Sequence, residues 1–187
     1  MTANKNFKRR VRDRARRTGE SYTAALRHLR QLDVKEPTVQ WQRIEKTDFG
    51  YAISVPEGWT ERPPDLKNSP LETARFGEET DRRHGVTVFR GPVRPGRTAA
   101  EIAELARPSL EHAGFVDFVV TDAEIGGRPG ARLDCARHDA GRVWAVQEYF
   151  VTDGRVSFCL GCGTSMPDED AALFAEIVAR FEVLEVS

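Results

Sequence analysis

The sequence predicts an α+β protein: an antiparallel β-sheet packed with two helices, preceded by a basic N-terminal helical hairpin. Three observations lead there. Beyond residue 38, apolar residues recur with a period of two in short runs, those runs are joined by Gly, Asp and Pro pairs that favour tight turns, and two stretches of 3.6 period interrupt them. With 187 residues, 40% apolar and 30% charged, the chain suffices for one domain with its own core plus an appendage of about thirty residues.

The elements follow in order. In the first helix of the hairpin, Phe7, Val11 and Ala15 form a narrow apolar stripe flanked by Arg and Lys. Thr18-Gly19 stops that helix, Gly19 being suited to the left-handed position beyond a helix end. Ser21 is placed to cap a second helix whose Tyr22, Ala25, Leu26 and Leu29 share one face. The hairpin spans residues 1–32, a polar linker 33–38, and the α+β domain 39–187.

In that domain Val39, Trp41 and Ile44 precede a run Tyr51-Ala-Ile-Ser-Val55, closed by Pro56-Glu-Gly and plugged by Trp59. Further strands are expected at Thr73–Phe76, Val86–Arg90, Val116–Ile125, Gly130–Arg137, Val143–Thr152 and Val156–Cys162. Turns at Ile125–Pro129, Asp139–Gly141 and Asp153-Gly154 join neighbours in antiparallel pairs. One helix is expected over Ala99–Ala113 with Ile102, Leu105, Ala106 and Leu110 inward. A second is expected over Glu169–Phe181 with Ala172, Leu173, Ile177 and Phe181 inward.

The order of these elements resembles the PsbP-like fold and, within it, the LpqN-type bacterial proteins. The resemblance runs from Phe49 to Val186. It rests on the opening Phe49-Gly-Tyr-Ala-Ile-Ser-Val-Pro-Glu-Gly-Trp59, a central helix preceded by Thr98, the hairpin Gly126-Gly-Arg-Pro-Gly-Ala-Arg132, the aromatic strand Val143–Phe150 and a last helix ending near Phe181-Glu-Val183. What the resemblance implies is a core and turn framework on which non-enzymatic binding recurs. The hairpin is similar to the helices of ribbon-helix-helix proteins over Arg10–Leu26, with its Thr-Gly-x-Ser turn. The strand that reads DNA bases in that family has no counterpart in Met1–Asn6.

Charge is the strongest functional signal. Ten of the first thirty residues are Lys or Arg and two are acidic, a formal +8, so the chain's total of −1 leaves −9 on residues 31–187. Such asymmetry points to an anionic partner. Lys8, Arg9, Arg10, Arg12, Arg14, Arg16 and Arg17 are the candidate contacts, Arg9, Arg12 and Arg16 forming one ridge and Arg10, Arg14 and Arg17 another. A helix of this length spans roughly 20 Å, and its guanidinium groups suit bidentate pairing with backbone phosphates. Nucleic acid or a ribonucleoprotein, an acidic protein or the chain's own acidic surface, and membrane phosphates all fit the charge. Tyr22 fits either stacking on a base or the hairpin's core.

Elsewhere the chemistry-bearing residues point to structure. Cys159-Leu-Gly-Cys162 has redox spacing, but on a strand its two thiols face opposite ways and no second pair completes a zinc site, so buried thiols are expected. His28, His84, His112 and His138 make no ligand spacing, and His138-Asp139 suits a hairpin tip. Glu148 and Asp134 fit a pocket lining, yet Ser157, His138 and Asp134 have no nucleophile and base spacing. Gly126-Gly127 and Gly161-x-Gly163 do not open a helix after a strand, as a phosphate loop requires. Trp144 and Tyr149 point to opposite faces of one strand, and one sheet face is a candidate partner surface. No membrane span and no export signal are seen, which with three cysteines suggests the cytoplasm. The expected protein is a non-enzymatic binder without metal or cofactor, its partner nucleic acid, a ribonucleoprotein or an acidic protein, or else an adaptor or chaperone for a protein segment.

Overall fold

The structure, a computed structural model, describes residues 39–184 together with Val11, Arg12, Ala15, Ser21, Tyr22, Thr23 and Leu26. Its contacts divide the chain into two units, Met1–Gln40 and Trp41–Ser187.

In the first unit, Val11, Arg12 and Ala15 are helical, as are Tyr22, Thr23 and Leu26. Val11 is fully buried against Ala15 and Leu26, which is what apolar positions four apart on facing helical turns do. Tyr22 is 43% exposed, so it does not fill the core position expected of it; Leu26 meets Val11 instead. The turn at Thr18-Gly19 and the linker 33–38 lie outside the described residues.

The second unit is α+β. Its large sheet has seven strands, all antiparallel to their neighbours: β3 (Trp59–Arg62), β4 (Glu72–Glu78), β5 (His84–Pro92), β6 (Val116–Ile125), β7 (Arg128–Asp139), β8 (Arg142–Thr152) and β9 (Val156–Thr164), in the spatial order β3-β4-β5-β9-β8-β7-β6. A small sheet places β2 (Tyr51–Pro56) between β1 (Trp41–Lys46) and β10 (Glu182–Val183). The helices are α1 (Ala99–His112) and α2 (Pro167–Ala179). A capping box starts α1: Thr98 Oγ1 accepts from the Glu101 N–H and the Glu101 carboxylate accepts from the Thr98 N–H. Pro167 opens α2 at a position where its missing N–H costs nothing.

The expected hairpins form. At Gly126-Gly127 both φ angles are positive, 55° and 74°, and a Cβ at Gly126 would stand 1.8 Å from the Phe181 carbonyl oxygen. Only glycine permits that approach, which ties the β6–β7 turn to the chain after α2. The β6 edge carries a bulge, its register shifting between Val116 and Val119 around Asp117, whose φ is 60°.

Two cores form, one on each face of the large sheet. The larger joins Tyr51, Ile53 and Val55 of β2 to Val86, Val88, Phe158 and Leu160 of the sheet and to Phe174, Ile177 and Phe181. The rings of Tyr51, Phe158 and Phe181 lie 5.5 to 6.0 Å apart. On the opposite face, Ala99, Ile102, Ala103, Ala106 and Leu110 of α1 pack on Leu133, Cys135, Phe150 and Cys159. Two helical positions expected inward turn outward instead. Leu105 is 61% exposed and Ala103 takes its place inward; in α2, Ala172 is exposed while Phe174 and Val178 are buried. In each helix the alanine and bulky positions fit more than one 3.6-period stripe, and the sheet beneath selects the one that packs.

Candidate functional site

The helix α1 lies over β6, β7 and β8 and reaches Cys159 of β9, leaving the same face open around Gly85, Thr87, Gly161 and Gly163. Register explains the cleft that results. Across the sheet, Arg75 pairs with Thr87, Thr87 with Gly161, Gly161 with Glu148, Glu148 with Leu133 and Leu133 with Val120. The adjoining row runs Gly85, Gly163, Val146, Cys135. Three glycines thus stand together where side chains would otherwise fill the face, and a cavity of about 320 Å³ opens above them.

Its walls are Trp144, Phe89, Leu110 and Phe115, with Arg62, Arg75 and Arg82 at the rim. The glycines are necessary to this shape. A Cβ on Gly163 would come within 2.9 Å of Trp144 Cζ2, and one on Gly161 within 3.3 Å of Phe89 Cε2. Arg75 is already bound to the Glu72 carboxylate and stands near Asp65, and Arg62 donates to the Glu78 carbonyl.

Glu148 is the acidic group of this cleft. Among the described residues it has no hydrogen bond or ion pair, and burial pushes its carboxyl up to about 7. A carboxyl whose protonated form burial favours, beside aromatic walls and a bare backbone floor, can donate to or accept from a bound polar tip while an apolar body lies on the glycines. Desolvation also pushes Cys135 up to about 12, with the Glu148 and Asp134 charges adding to it, and raises Cys159 and Cys162 strongly. All three thiols are free and buried, and Cys159 and Cys162 sit in the cores on opposite faces, an arrangement without redox-motif character.

The other expected pocket residues do not converge on Glu148. Asp134 lies on the opposite face, accepting from Arg132 Nε at 2.8 Å and from Gln147 Nε2 at 3.1 Å. His138 is at the β7–β8 hairpin, 3.3 Å from Asp117. Ser157 reaches only the Gly91 carbonyl. The expected partner surface on Trp144 and Tyr149 also divides. Trp144 walls the cleft, whereas Tyr149 is 7% exposed and donates its hydroxyl to Gln147 Oε1. Tyr149 is no surface residue because the larger core, with α2 and the small sheet, covers its face.

A buried polar cluster escaped the sequence reading. His84 Nδ1 stands 3.0 Å from Asp170 Oδ1, and Thr164 Oγ1 donates to Asp170 Oδ2 at 2.5 Å. Both His84 and Asp170 are buried, and Trp59 packs on the His84 ring. This cluster pins the first turn of α2 to the sheet, where a carboxylate is favoured by the helix dipole. Among the described residues no group of three or more His, Cys, Asp or Glu is placed to hold a metal ion, and no helix is long and apolar enough to cross a membrane.

Of the basic N-terminal candidates, Arg12 is helical and exposed. Lys8, Arg9, Arg10, Arg14, Arg16 and Arg17 lie outside the described residues. The cleft residues Thr87, Phe89, Gly161 and Gly163 were not singled out as a site from sequence. Their signal was the alternation Gly161-Cys-Gly163 within a strand, which removes two side chains from one face.

No protein-family model matches the chain, and neither does any curated protein sequence. Solved structures do. The cyanobacterial PsbP (CyanoP) of Synechocystis sp. PCC 6803 matches 80% of this chain and 95% of its own at 16% identity, with a TM-score of 0.61. LpqN of Mycobacterium tuberculosis, described as involved in cell envelope biogenesis, matches 82% of this chain and 95% of its own at 15% identity and a TM-score of 0.53. The Ran-binding protein Mog1p of Saccharomyces cerevisiae matches 79% of this chain and 97% of its own at 11% identity and a TM-score of 0.54. The chain therefore has a Mog1/PsbP-like fold over about 80% of its length.

Proposed function

We propose that a Mog1/PsbP-like domain carrying a basic helical hairpin works here as a non-enzymatic binding protein, attached through the hairpin to nucleic acid or a ribonucleoprotein. The observation that carries this reading is charge segregation, +8 on the first thirty residues against −9 on the rest. Burial of Val11 beside exposed Arg12 supports a folded rather than a loose basic segment. Lys8, Arg9, Arg10, Arg12, Arg14, Arg16 and Arg17 would contact phosphates. The separation of Glu148, Asp134 and His138 supports a binding role over catalysis, and unpaired buried thiols suit the cytoplasm.

Binding of the full chain to mixed-sequence DNA and RNA, measured by fluorescence anisotropy, should weaken about a thousandfold between 50 and 200 mM salt, as six or more phosphate contacts imply. Replacing Arg9, Arg10, Arg12, Arg14, Arg16 and Arg17 by Gln should remove it. Unchanged affinity in that variant rejects the reading.

A protein partner is the second reading, and the cleft favours it. Trp144, Phe89 and the glycine floor offer a seat for one side chain of another protein, and Mog1p, of the same fold, is described as Ran-binding. A co-purifying protein that survives nuclease treatment and is lost with Trp144→Ala would select this reading over the first.

A further inference from the structure

A second cavity, of about 380 Å³, opens at the end of the large sheet where β5 ends and the β8–β9 turn begins. Three arginines from three separate strand ends and turns line it. Arg90 stands on β5 opposite Phe158, Arg128 opens β7 after the Gly126-Gly127 turn, and Arg155 lies in the turn before Val156. Among the described residues none of the three forms an ion pair, and Arg90 Nε is buried without a hydrogen-bond partner. A buried guanidinium nitrogen left unpaired is costly.

Among the described residues the single carboxylate of the lining is Asp153, and the turn already uses it. Asp153 Oδ1 accepts from the backbone N–H groups of Arg155 and Val156, both at 2.8 Å. Burial alone would raise this carboxyl; those N–H groups outweigh burial and hold it below the usual range. The described lining residues thus carry three positive charges against one negative, a net +2, in a region of the chain that is otherwise acidic. Its remaining wall is apolar: Phe49, Phe158, Val183 and Leu184.

We propose that this cavity is a binding site for a small phosphate monoester, with Arg90, Arg128 and Arg155 holding the phosphate and the Phe49, Val183 and Leu184 wall receiving the organic group. A phosphate monoester carries about −1.5 to −2 at neutral pH and three acceptor oxygens, which matches a net +2 shared among guanidiniums. A carboxylate would neutralise only half of that charge. A polymeric phosphodiester carries only one charge per phosphate, half of what the described lining offers.

The probe is phenyl phosphate, titrated into the full-length protein by calorimetry, with inorganic phosphate and phenol as comparisons. Saturable binding of one equivalent is expected, tighter than inorganic phosphate and absent for phenol. Arg90→Gln and, separately, Arg155→Gln should each weaken it about tenfold or more, the loss expected of one charge-assisted bidentate contact. Because Arg155 sits exposed in a turn, its variant folds independently of any packing role of Arg90. The variant with the six N-terminal arginines replaced by Gln should bind phenyl phosphate unchanged, which separates this site from the proposed nucleic-acid attachment. No saturable binding at millimolar phenyl phosphate, equal binding of phenol, or full affinity in both Arg90→Gln and Arg155→Gln overturns the proposal.

Discussion

The two faces of the seven-stranded sheet are built from the same strands and end differently. On one, Val86, Val88, Phe158 and Leu160 meet β2, α2 and Phe181, and the face closes into a core. On the other, the row Thr87, Gly161, Glu148 and the row Gly85, Gly163, Val146 supply too little side chain to be capped, and α1 covers only the half where Leu133, Cys135 and Phe150 stand. The difference teaches that a sheet face becomes a core or a cleft according to the size of the residues that register brings into one row. Alternation along a strand assigns a residue to a face; pairing between strands decides what that face can do.

The contrast can be broken most severely on the closed face. Phe158 is 1% exposed and packs edge-on against the rings of Tyr51 and Phe181. Phe158→Ala should cost about 3–5 kcal/mol, the range for deleting a buried aromatic ring, read as a lowered midpoint in urea unfolding. A loss below about 1 kcal/mol would mean that the face is not the closed core described.

On the open face the expected effect is smaller and opposite in sign. Burial raises the Glu148 carboxyl to about 7 from an ordinary 4.5. The folded state therefore binds a proton between those values that the unfolded state has released, and stability falls as pH rises from about 4.5 through 7. Glu148→Gln should remove that slope, stabilising the protein at pH 8 by about 1–3 kcal/mol while changing little at pH 4.5. Thermal unfolding of both proteins across that range measures it, and an equal shift at both ends would show that the carboxyl is solvated in the cleft.

Most of the framework was legible in the residues. The Gly126-Gly127 and Asp139–Gly141 turns, the strand between them and the Thr98 start of α1 all carry local signals of propensity and spacing. Short elements held by tertiary contact were not: β3 and β10 have four and two residues, too few to show a period, and exist because β4 and β2 offer them partners. Leu105 shows the same limit within a helix, since a 3.6 period permits two neighbouring stripes and only the packed sheet chooses. The cleft was illegible for a different reason. It is made of missing side chains at Gly85, Gly161 and Gly163, aligned by pairing between β5 and β9 and bounded by Trp144 on β8. Arg90, Arg128 and Arg155 are likewise distant in the chain and gathered only by the turns at one sheet end.

The bulge in β6 has a consequence for how copies of the chain meet in solution. β6 is the outer strand of the large sheet and exposes Val116 and Val119. A flat edge of that kind would invite an incoming strand and so would seed aggregation. The register shift around Asp117 breaks the even ladder of hydrogen-bonding groups, so this edge is a poor template for a further strand.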